Sequence, residues 1–368
     1  MAAVTTNYGF DVPTSSDLVK NGATQIALLG QDIDTFLFRP FTKNGVLNSS
    51  FDIWQRGTSV ALAASTSIAN SYTADRFQMP TNANQACTVS RQATNDTTNL
   101  PNIQYCGRFQ RNSGQTGTGT LNPSYNLESA DSIPYAGKQI TFSFYARAGA
   151  NYSNAGSTLR NFVVTGTGSD QNLQNGYTGQ TTLINNNVTL TTTWQRFIAT
   201  ATVATNATQI GFYFQWIPVG TAGANDYFEV TGIQLEVGNQ ASPYTRATGT
   251  IQGELAACQR YYYRATSAEN AYTRFGGANG AGSTTAVLLP FVHPVTMRTK
   301  PSAIEYGGTY ALSDGNGTAS VSSVALFQGS SANQTIMDVT CSGATQFRPY
   351  IFIANNSTST YIGVTAEL

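Results

Sequence analysis

The stretch FDIWQRGT, residues 51–58, brings together side chains that could do chemistry. Asp52 could act as an acid or base, Trp54 could stack on a ligand ring, and Arg56 could hold an anion. The alternative is a turn at the edge of a strand, in which these polar groups make local hydrogen bonds and Gly57 breaks the strand. We favour the structural interpretation.

Groups suited to catalysis are few in this sequence. The single histidine, His293, is followed by Pro294, and a structural role is favoured over a Ser-His-Asp arrangement. Glycoside hydrolysis needs two carboxylates about 5–9.5 Å apart. The acid pairs that can be nominated are Asp226 with Glu229, Glu229 with Asp75, and Glu128 with Asp131. None lies in a stretch that distinguishes it from a solvated loop acid, so we expect that the protein is not an enzyme.

The four cysteines, Cys87, Cys106, Cys258 and Cys341, are far apart in the sequence. They form no CxxC motif and have no histidine partner, which argues against a metal site and favours buried free thiols. Cys87 and Cys106 could also face each other across neighbouring strands, and the sequence leaves that pairing open.

The composition points to an uncharged β-protein. Charged residues make up 10% of the 368 residues, hydrophobic residues make up 40%, and the formal net charge is zero. No basic run suggests a nucleic-acid partner. No apolar run approaches the roughly 18 residues that span a membrane. The N-terminal sequence lacks the pattern of a signal peptide, so we expect folding in a cytoplasm.

Alternation of apolar and polar residues predicts strands from residue 44 onward. In residues 140–149 one face carries Ile140, Phe142, Phe144 and Ala146, and the other carries Thr141, Ser143, Tyr145 and Arg147. In residues 210–217 the apolar face is Ile210, Phe212, Phe214 and Trp216. The apolar residues change from even positions, Phe228 and Val230, to odd positions after Gly232, which predicts a β-bulge at this glycine. Strands of this kind, separated by Gly/Asn/Ser/Thr loops and not by helices, predict an all-β fold of antiparallel sandwiches.

Residues 1–43 differ from the rest and predict a helical segment. Ser15, Ser16 and Asp17 could cap a first helical turn that Gly22 ends. The next helix, ended by Pro40, has an apolar seam at Ile26, Leu29, Ile33 and Phe36. Such a short helix needs support, from other copies of itself or from its own chain. We interpret it as a segment for oligomerisation or anchoring.

Three further regions complete the predicted organisation. Residues 44–250 are expected to form a jelly roll, residues 251–264 a linker helix, and residues 265–368 a second, smaller β-sandwich. No internal repeat at a fixed period is visible, which argues against a β-helix.

An ordered set of motifs resembles the carbohydrate-binding-module-like jelly roll of tail fibres and related appendage proteins of tailed phages. The motifs are NGVLNSSFDIWQRGTS at 44–59, YTADRF at 72–77, ITFSFYARAG at 140–149, TTTWQRF, GIQLEVGNQASPYTR at 232–246, ELAACQRYYYR, and HPVTMRTKP at 293–301. In such proteins the QRG and QLE residues are structural, which assigns Gln55 and its neighbours to a turn. The N-terminal segment also resembles the leader of marine phage appendage proteins, which implies attachment to the particle.

The resemblance implies a virion structural protein, expected to be a homotrimer, that attaches to host surface glycans. Two alternatives stay open: a fibre or decoration protein attached to the capsid, and a tailspike that degrades polysaccharide. Sugar-binding jelly rolls often hold a structural Ca²⁺, and here the matching region offers Asn48, Asp52 and Glu236. Gln234 stands where the family has an acid in its last strand, so no metal or other cofactor is expected.

Sugar recognition needs aromatic rings to stack on the sugar and planar polar side chains for its hydroxyls. On the predicted strands, the alternate positions that point away from the core provide the candidate glycan-binding residues. They are Tyr145, Arg147, Tyr213, Gln215, Arg108 and Gln110. The alternative for these residues is a solvated sheet face or a face buried between protomers.

Overall fold

The computed structural model describes residues 3–4, 11–12, 14, 18, 21–37, 44–64, 71–80 and 85–368. The chain divides into two compact units. The first contains Met1–Asp52 and Thr58–Ile251, and the second contains Ile53–Gly57 and Gln252–Leu368. The sequence placed residues 53–57 in the jelly roll, whereas the structure includes them in the second unit.

Antiparallel strands dominate the first unit. Its strands are β1 (Ala3–Val4), β2 (Asp11–Val12), β3 (Ser59–Leu62), β4 (Phe77–Gln78), β5 (Cys87–Ala93), β6 (Tyr105–Arg111), β7 (Ser124–Asn126), β8 (Gln139–Ala148), β9 (Thr158–Gly166), β10 (Thr181–Thr189), β11 (Gln195–Thr202), β12 (Gln209–Gln215) and β13 (Tyr227–Val237). A five-stranded sheet has the order β10-β9-β12-β7-β4, and a six-stranded sheet has the order β11-β8-β13-β6-β5-β3.

The two sheets face each other across an aromatic core. Phe142 on β8 lies 5.1 Å from Phe212 on β12, and Phe144 lies 4.9 Å from Phe214, measured between ring centroids. All eight apolar residues predicted to face inward on these two strands are buried. The predicted all-β jelly-roll sandwich is therefore confirmed, because alternation puts one side chain in two into the space between the sheets.

The predicted bulge is also confirmed. The register of β13 against β8 shifts between Thr231 and Gln234, and Gly232 has φ +56°. Phe228 and Val230, before the bulge, and Ile233, after it, are all fully buried.

The outward residues of β8 differ from the expectation of an open face. Thr141 and Ser143 are fully buried. The chain after β13 covers this part of the sheet: the Thr141 hydroxyl donates to the Gly238 carbonyl at 2.8 Å, and Arg196 contacts both Ser143 and the Ser242 carbonyl. Parity predicts which way a side chain points, but a covering segment decides whether it meets solvent.

The second unit is a smaller β structure with its own apolar core. Its strands are β14 (Tyr262–Thr266), β15 (Arg274–Gly280), β16 (Ala286–Val292), β17 (Ala303–Gly307), β18 (Tyr310–Ser313), β19 (Thr318–Leu326), β20 (Gln334–Ser342), β21 (Pro349–Ala354) and β22 (Tyr361–Thr365). They form a three-stranded sheet, β14-β22-β17, and a six-stranded sheet, β15-β21-β18-β19-β20-β16.

The helices are α1 (Gly22–Leu37), α2 (Ser129–Ser132) and α3 (Ile251–Gln259). Gly22 begins α1, whereas we expected it to end a preceding turn; glycine is tolerated near a helix N-terminus as well as after a C-terminus. The predicted caps Ser15, Ser16 and Asp17, and Pro40, lie outside the described residues. Helix α3 is shorter than the predicted linker, because residues 262–266 form a strand that pairs with β22.

The predicted seam of α1 is only partly covered. Ile26 is 64% exposed, Ile33 is 40% exposed and Leu29 is half-buried, while the side chain of Phe36 lies outside the described residues. The seam is thus accessible for the predicted contact between copies, which stays a prediction. No helix within the described part of the chain is both long and apolar enough to cross a bilayer.

Candidate functional site

The six nominated glycan-binding residues fall on two different sheets. Tyr145, Arg147, Arg108 and Gln110 belong to β8 and β6 of the six-stranded sheet, whereas Tyr213 and Gln215 belong to β12 of the five-stranded sheet. The inner faces of these sheets meet in the core, so their outer faces point in opposite directions. One ligand cannot contact both groups, and each face has to be considered separately.

On the six-stranded sheet, Arg108 and Arg147 both bind the carboxylate of Glu229. The Arg108 Nη2 atom lies 2.6 Å from Glu229 Oε1, and the Arg147 Nε atom lies 2.5 Å from Oε2. Glu229 is fully buried, so two guanidinium groups neutralise a carboxylate that would otherwise be costly to bury. The Arg108 group also stacks on Tyr227, at 3.9 Å, and Arg147 stacks on Trp194, at 4.7 Å.

Tyr145 packs within a small apolar cluster on this same face. The buried members of the cluster are Leu100, Ile103, Cys106 and Trp194. Gln110 donates to the Ala224 carbonyl at 2.9 Å. The ion pairs and this cluster make the face a packed network, and the side chains nominated there are largely engaged within the protein.

The outer face of the five-stranded sheet carries an aromatic pair. Tyr213 on β12 lies opposite Phe162 on β9, with ring centroids 4.3 Å apart and an interplanar angle of 9°. Tyr213 is half-buried and Phe162 is largely covered. Burial raises the pKa of the Tyr213 hydroxyl, an effect that the charge of Arg160 opposes, so the hydroxyl can both donate and accept at neutral pH.

Arg160 extends this aromatic pair along β9. Its guanidinium lies 4.8 Å from the centre of the Phe162 ring. Its Nη1 donates to Gln215 Oε1 at 2.9 Å, and its Nη2 donates to Asn185 Oδ1 at 3.1 Å. We call Phe162, Tyr213, Arg160, Gln215 and Asn185 the platform.

Sequence reasoning found two of the five platform residues. Tyr213 and Gln215 follow from the alternation of β12. Phe162 and Arg160 were missed because β9, TLRNFVVTG, has apolar residues on both faces. Its sequence therefore does not alternate between apolar and polar residues, and the outward face cannot be identified from it. Asn185 belongs to a polar strand whose pairing with β9 appears only in the folded sheet.

Four of the five acids nominated for hydrolysis are buried. Asp226 is fully buried and lies 2.8 Å from Arg111 Nη1, and Glu229 is held as described above. Asp75 and Glu128 are also buried, whereas Asp131 is exposed.

The residues considered for calcium have protein partners. The amide of Asn48 donates to the Asp75 carbonyl, Asp52 pairs with Arg246 at 2.9 Å, and Glu236 accepts from the backbone and hydroxyl of Ser242. Among the residues that the structure describes, no group of three or more His, Cys, Asp or Glu side chains could hold a metal ion.

All four cysteines are free and buried, as expected. Cys87 and Cys106 do lie on adjacent strands, but Cys87 is opposite Arg111 and Cys106 is opposite Gln92. Their offset along the strands excludes a cross-strand disulfide in this fold.

The opening stretch FDIWQRGT makes the local turn bonds that we expected and tertiary contacts as well. The Gly57 amide donates to the Trp54 carbonyl at 3.2 Å, and the Ser50 hydroxyl donates to Asp52 at 2.6 Å. Within the second unit, Gln55 donates to the Tyr262 carbonyl at 2.6 Å. The Arg56 guanidinium stacks on the Tyr262 ring at 3.4 Å and lies 3.6 Å from Glu367. These residues are structural, but they bind partners more than 200 positions away in sequence.

The second unit also has two shallow clefts. One, of about 320 Å³, is lined by hydroxyl and amide side chains together with Tyr306 and Tyr310. The other, of about 240 Å³, lies beside the ion pair of Asp314 and Arg348. The first cleft has an edge-to-face pair, Tyr306 and Tyr310 at 6.2 Å, but Asn355 is the one planar polar side chain among its lining residues, whereas the platform has three.

No family model matches the sequence, and no curated protein matches it. Solved structures show a remote similarity that covers about half of the chain. A structure described as CBM4 has 14% identity and a TM-score of 0.31, covering 52% of this chain and 98% of that one. The CBM22-1 xylan-binding domain from Paenibacillus barcinonensis Xyn10C has 13% identity and a TM-score of 0.30, covering 54% and 97%.

Another similar structure is the enzymatically active domain of tailspike protein 4 from bacteriophage CBA120. It has 14% identity and a TM-score of 0.33; the match covers 53% of this chain and 21% of that one. At these values the similarities assign neither a family nor a function to this chain.

Proposed function

We propose that the protein binds glycans through the platform on the outer face of the five-stranded sheet. The observation that carries this proposal is the half-buried ring of Tyr213, which stacks on Phe162 and is bordered by the planar polar side chains of Arg160, Gln215 and Asn185. An aromatic ring offers its face to the C–H groups of a sugar, and amide and guanidinium groups pair with adjacent hydroxyls.

The position of these groups suits a ligand that lies across the strands. The three platform strands are neighbours in the order β10-β9-β12, so Asn185, Phe162 and Tyr213 form one row across the sheet. Regular strands hold their side chains more rigidly than loops do, which lowers the entropy lost when a ligand binds.

We further propose that the protein is an appendage of a tailed phage, a tail fibre or receptor-binding protein located on the virion and folded in the host cytoplasm. The ordered motifs of residues 44–301 support this role. Residues 1–43 would attach it to other virion proteins, and the α1 seam would join three copies. Sedimentation of an Ile26→Ser/Ile33→Ser double variant tests the seam: a smaller assembly is expected, and an unchanged mass would refute it.

Glycan binding is tested by replacing Tyr213. We expect Tyr213→Ala to weaken binding to a bacterial surface polysaccharide about tenfold or more, because about 1.4 kcal/mol of stacking corresponds to tenfold in affinity. Tyr272→Ala is the matched control, since Tyr272 is a 55% exposed tyrosine of the second unit. Binding is measured on a glycan array. Equal losses of affinity in both variants, or no loss in either, would contradict the proposal.

The site of attachment is tested on intact particles, with an antibody against residues 265–368 and electron microscopy. Label at the tail is the expected result. Label scattered over the head would favour the alternative, a capsid-attached fibre or decoration protein. We propose that the protein does not degrade its ligand. If the wild-type protein released oligosaccharide and a Glu229→Gln variant did not, the result would favour a tailspike instead.

A further inference from the structure

Arg160 differs from four of the eight described arginines of the first unit in its charge environment. Arg108, Arg111, Arg147 and Arg246 each lie within 3 Å of a carboxylate oxygen. No carboxylate of the described residues lies within the 4.0 Å ion-pair distance of Arg160, whose partners are the neutral oxygens of Gln215 and Asn185. Among the described residues, the platform therefore carries one positive charge without a counter-ion.

Half-burial makes this charge expensive to leave without an anion. Arg160 is partly covered, and its Nε atom is buried without a hydrogen-bond partner. A guanidinium has five N–H donors, and the bonds to Gln215 and Asn185 use one on each Nη. Because Nε is covered, the Nη atoms are the part of the group that a ligand can reach.

The Arg160 guanidinium lies over the Phe162 ring, with its central carbon 4.8 Å from the ring centre, and this contact restricts its movement. The amides of Gln215 and Asn185 hold its two Nη atoms from opposite sides, since β12 and β10 flank β9. A planar guanidinium held in this way matches the two oxygens of a carboxylate, a geometry that lysine does not offer. The pair also forms in a partly desolvated place, where it is stronger than in water.

We infer that the platform selects an acidic saccharide, with the ring on Tyr213 and a uronic-type carboxylate on Arg160. This inference rests on the proposed function of the platform, because it names the class of glycan that the same site takes. A neutral sugar would leave the charge of Arg160 without an anion, and so would bind more weakly.

The test compares acidic polysaccharides with their neutral counterparts on the full-length protein. The probes are polygalacturonate, alginate and hyaluronate, each beside its carboxyl-reduced form, which keeps the linkage and removes the charge. We expect at least one acidic polymer to bind about 10- to 100-fold more tightly than its reduced form, the range for a hydrogen-bonded ion pair. Binding of the acidic form should weaken as salt is raised.

Variants separate the charge from the stacking. Arg160→Gln should remove the preference for the acidic form, whereas Tyr213→Ala should weaken both forms. Arg196→Gln is the matched control, because Arg196 also stacks on a tyrosine, Tyr145 at 5.4 Å, and lies on the opposite sheet. It should leave binding of both polymers unchanged.

Two outcomes overturn different statements. Reduced polymers that bind as tightly as the acidic ones, through Tyr213, would overturn the acidic selectivity and leave the proposed glycan site standing. The same conclusion follows if Arg160→Gln keeps the preference. The proposed function itself is wrong if Tyr213→Ala weakens the binding of no acidic polymer, no reduced polymer and no neutral glycan on an array.

Discussion

Arg111 is a buried cation that organises one end of the first unit. Its Nη1 atom binds Asp226 at 2.8 Å, and both residues are fully buried. Its other donors reach Gln85, Ser153 and the backbone carbonyls of residues 115, 117 and 220. One side chain thus satisfies oxygens from several loops.

We expect Arg111→Met to lower the free energy of unfolding by about 3–5 kcal/mol, because it leaves the Asp226 carboxylate buried without a counter-ion. Urea unfolding followed by tryptophan fluorescence measures the change. Arg108→Met is the control: Glu229 keeps Arg147, so a loss of about 1 kcal/mol or less is expected. Equal losses in the two variants would refute this role for Arg111.

His293 is the single histidine of the chain and is held in the second unit. Its Nδ1 lies 3.0 Å from the Ala332 carbonyl and its Nε2 lies 2.9 Å from the Thr335 hydroxyl. A carbonyl only accepts, so Nδ1 carries the proton and Nε2 accepts from Thr335 in the neutral ring. The structural role that we predicted for His293 agrees with these bonds.

Burial lowers the pKa of His293 below its ordinary value, although the bond to Ala332 acts in the opposite direction. Between the folded and unfolded pKa values, the unfolded chain binds more protons. The stability from His293 is therefore fully present above the unfolded value of about 6.5 and is lost as pH falls through the folded value.

We expect the melting temperature of the second unit to decrease as the pH is lowered below about 6.5, the ordinary pKa of histidine. Calorimetry of wild type and His293→Gln measures it, and the variant should show a flatter dependence on pH. An equally steep curve for the variant would assign the effect to other groups.

At the scale of elements, the bulge in β13 depends on Gly232. Its φ of +56° lies in the left-handed region, and a Cβ there would come within 2.7 Å of Ile103 and 2.9 Å of Tyr145. Both the backbone and the small apolar cluster thus require glycine.

We expect Gly232→Ala to lower the free energy of unfolding by about 2–4 kcal/mol, from backbone strain and overpacking together. Gly114→Ala isolates the backbone contribution, because Gly114 has φ +84° with nothing within 4 Å of a Cβ. About 1 kcal/mol is expected there. Chemical denaturation measures the free energy of unfolding of both variants. Similar losses in the two would show that packing at the bulge is unimportant.

At the scale of the whole molecule, the second unit is assembled from distant parts of the chain. Residues 53–57 belong to it, and Arg56 lies on Tyr262 and beside Glu367, which is 4% exposed. The unit therefore depends on a short segment that precedes most of the first unit in sequence.

We expect Arg56→Met to destabilise the second unit by about 2–4 kcal/mol, through loss of the cation–π contact and of the charge beside a buried carboxylate. Calorimetry should show its transition at a lower temperature. Arg274→Met, which alters an exposed arginine of the same unit, should leave the transition in place. No shift in Arg56→Met would mean that residues 53–57 are dispensable for the stability of this unit.

The sequence by itself determined the fold class and the core of the first unit. Alternation identified β8 and β12 and their inward residues, and a change of parity located the bulge at Gly232. These features are local, because a strand exposes its side chains to opposite sides with a period of two, whatever lies beyond it.

Only the tertiary structure decided which outward residues share a surface. Parity could not tell that Tyr145 and Tyr213 lie on opposite outer faces, nor that Arg160 and Phe162 lie beside Tyr213. It also could not tell that residues 53–57 complete the second unit. Strand order, covering loops and ion-pair partners are set by contacts between residues far apart in sequence, which carry no local pattern.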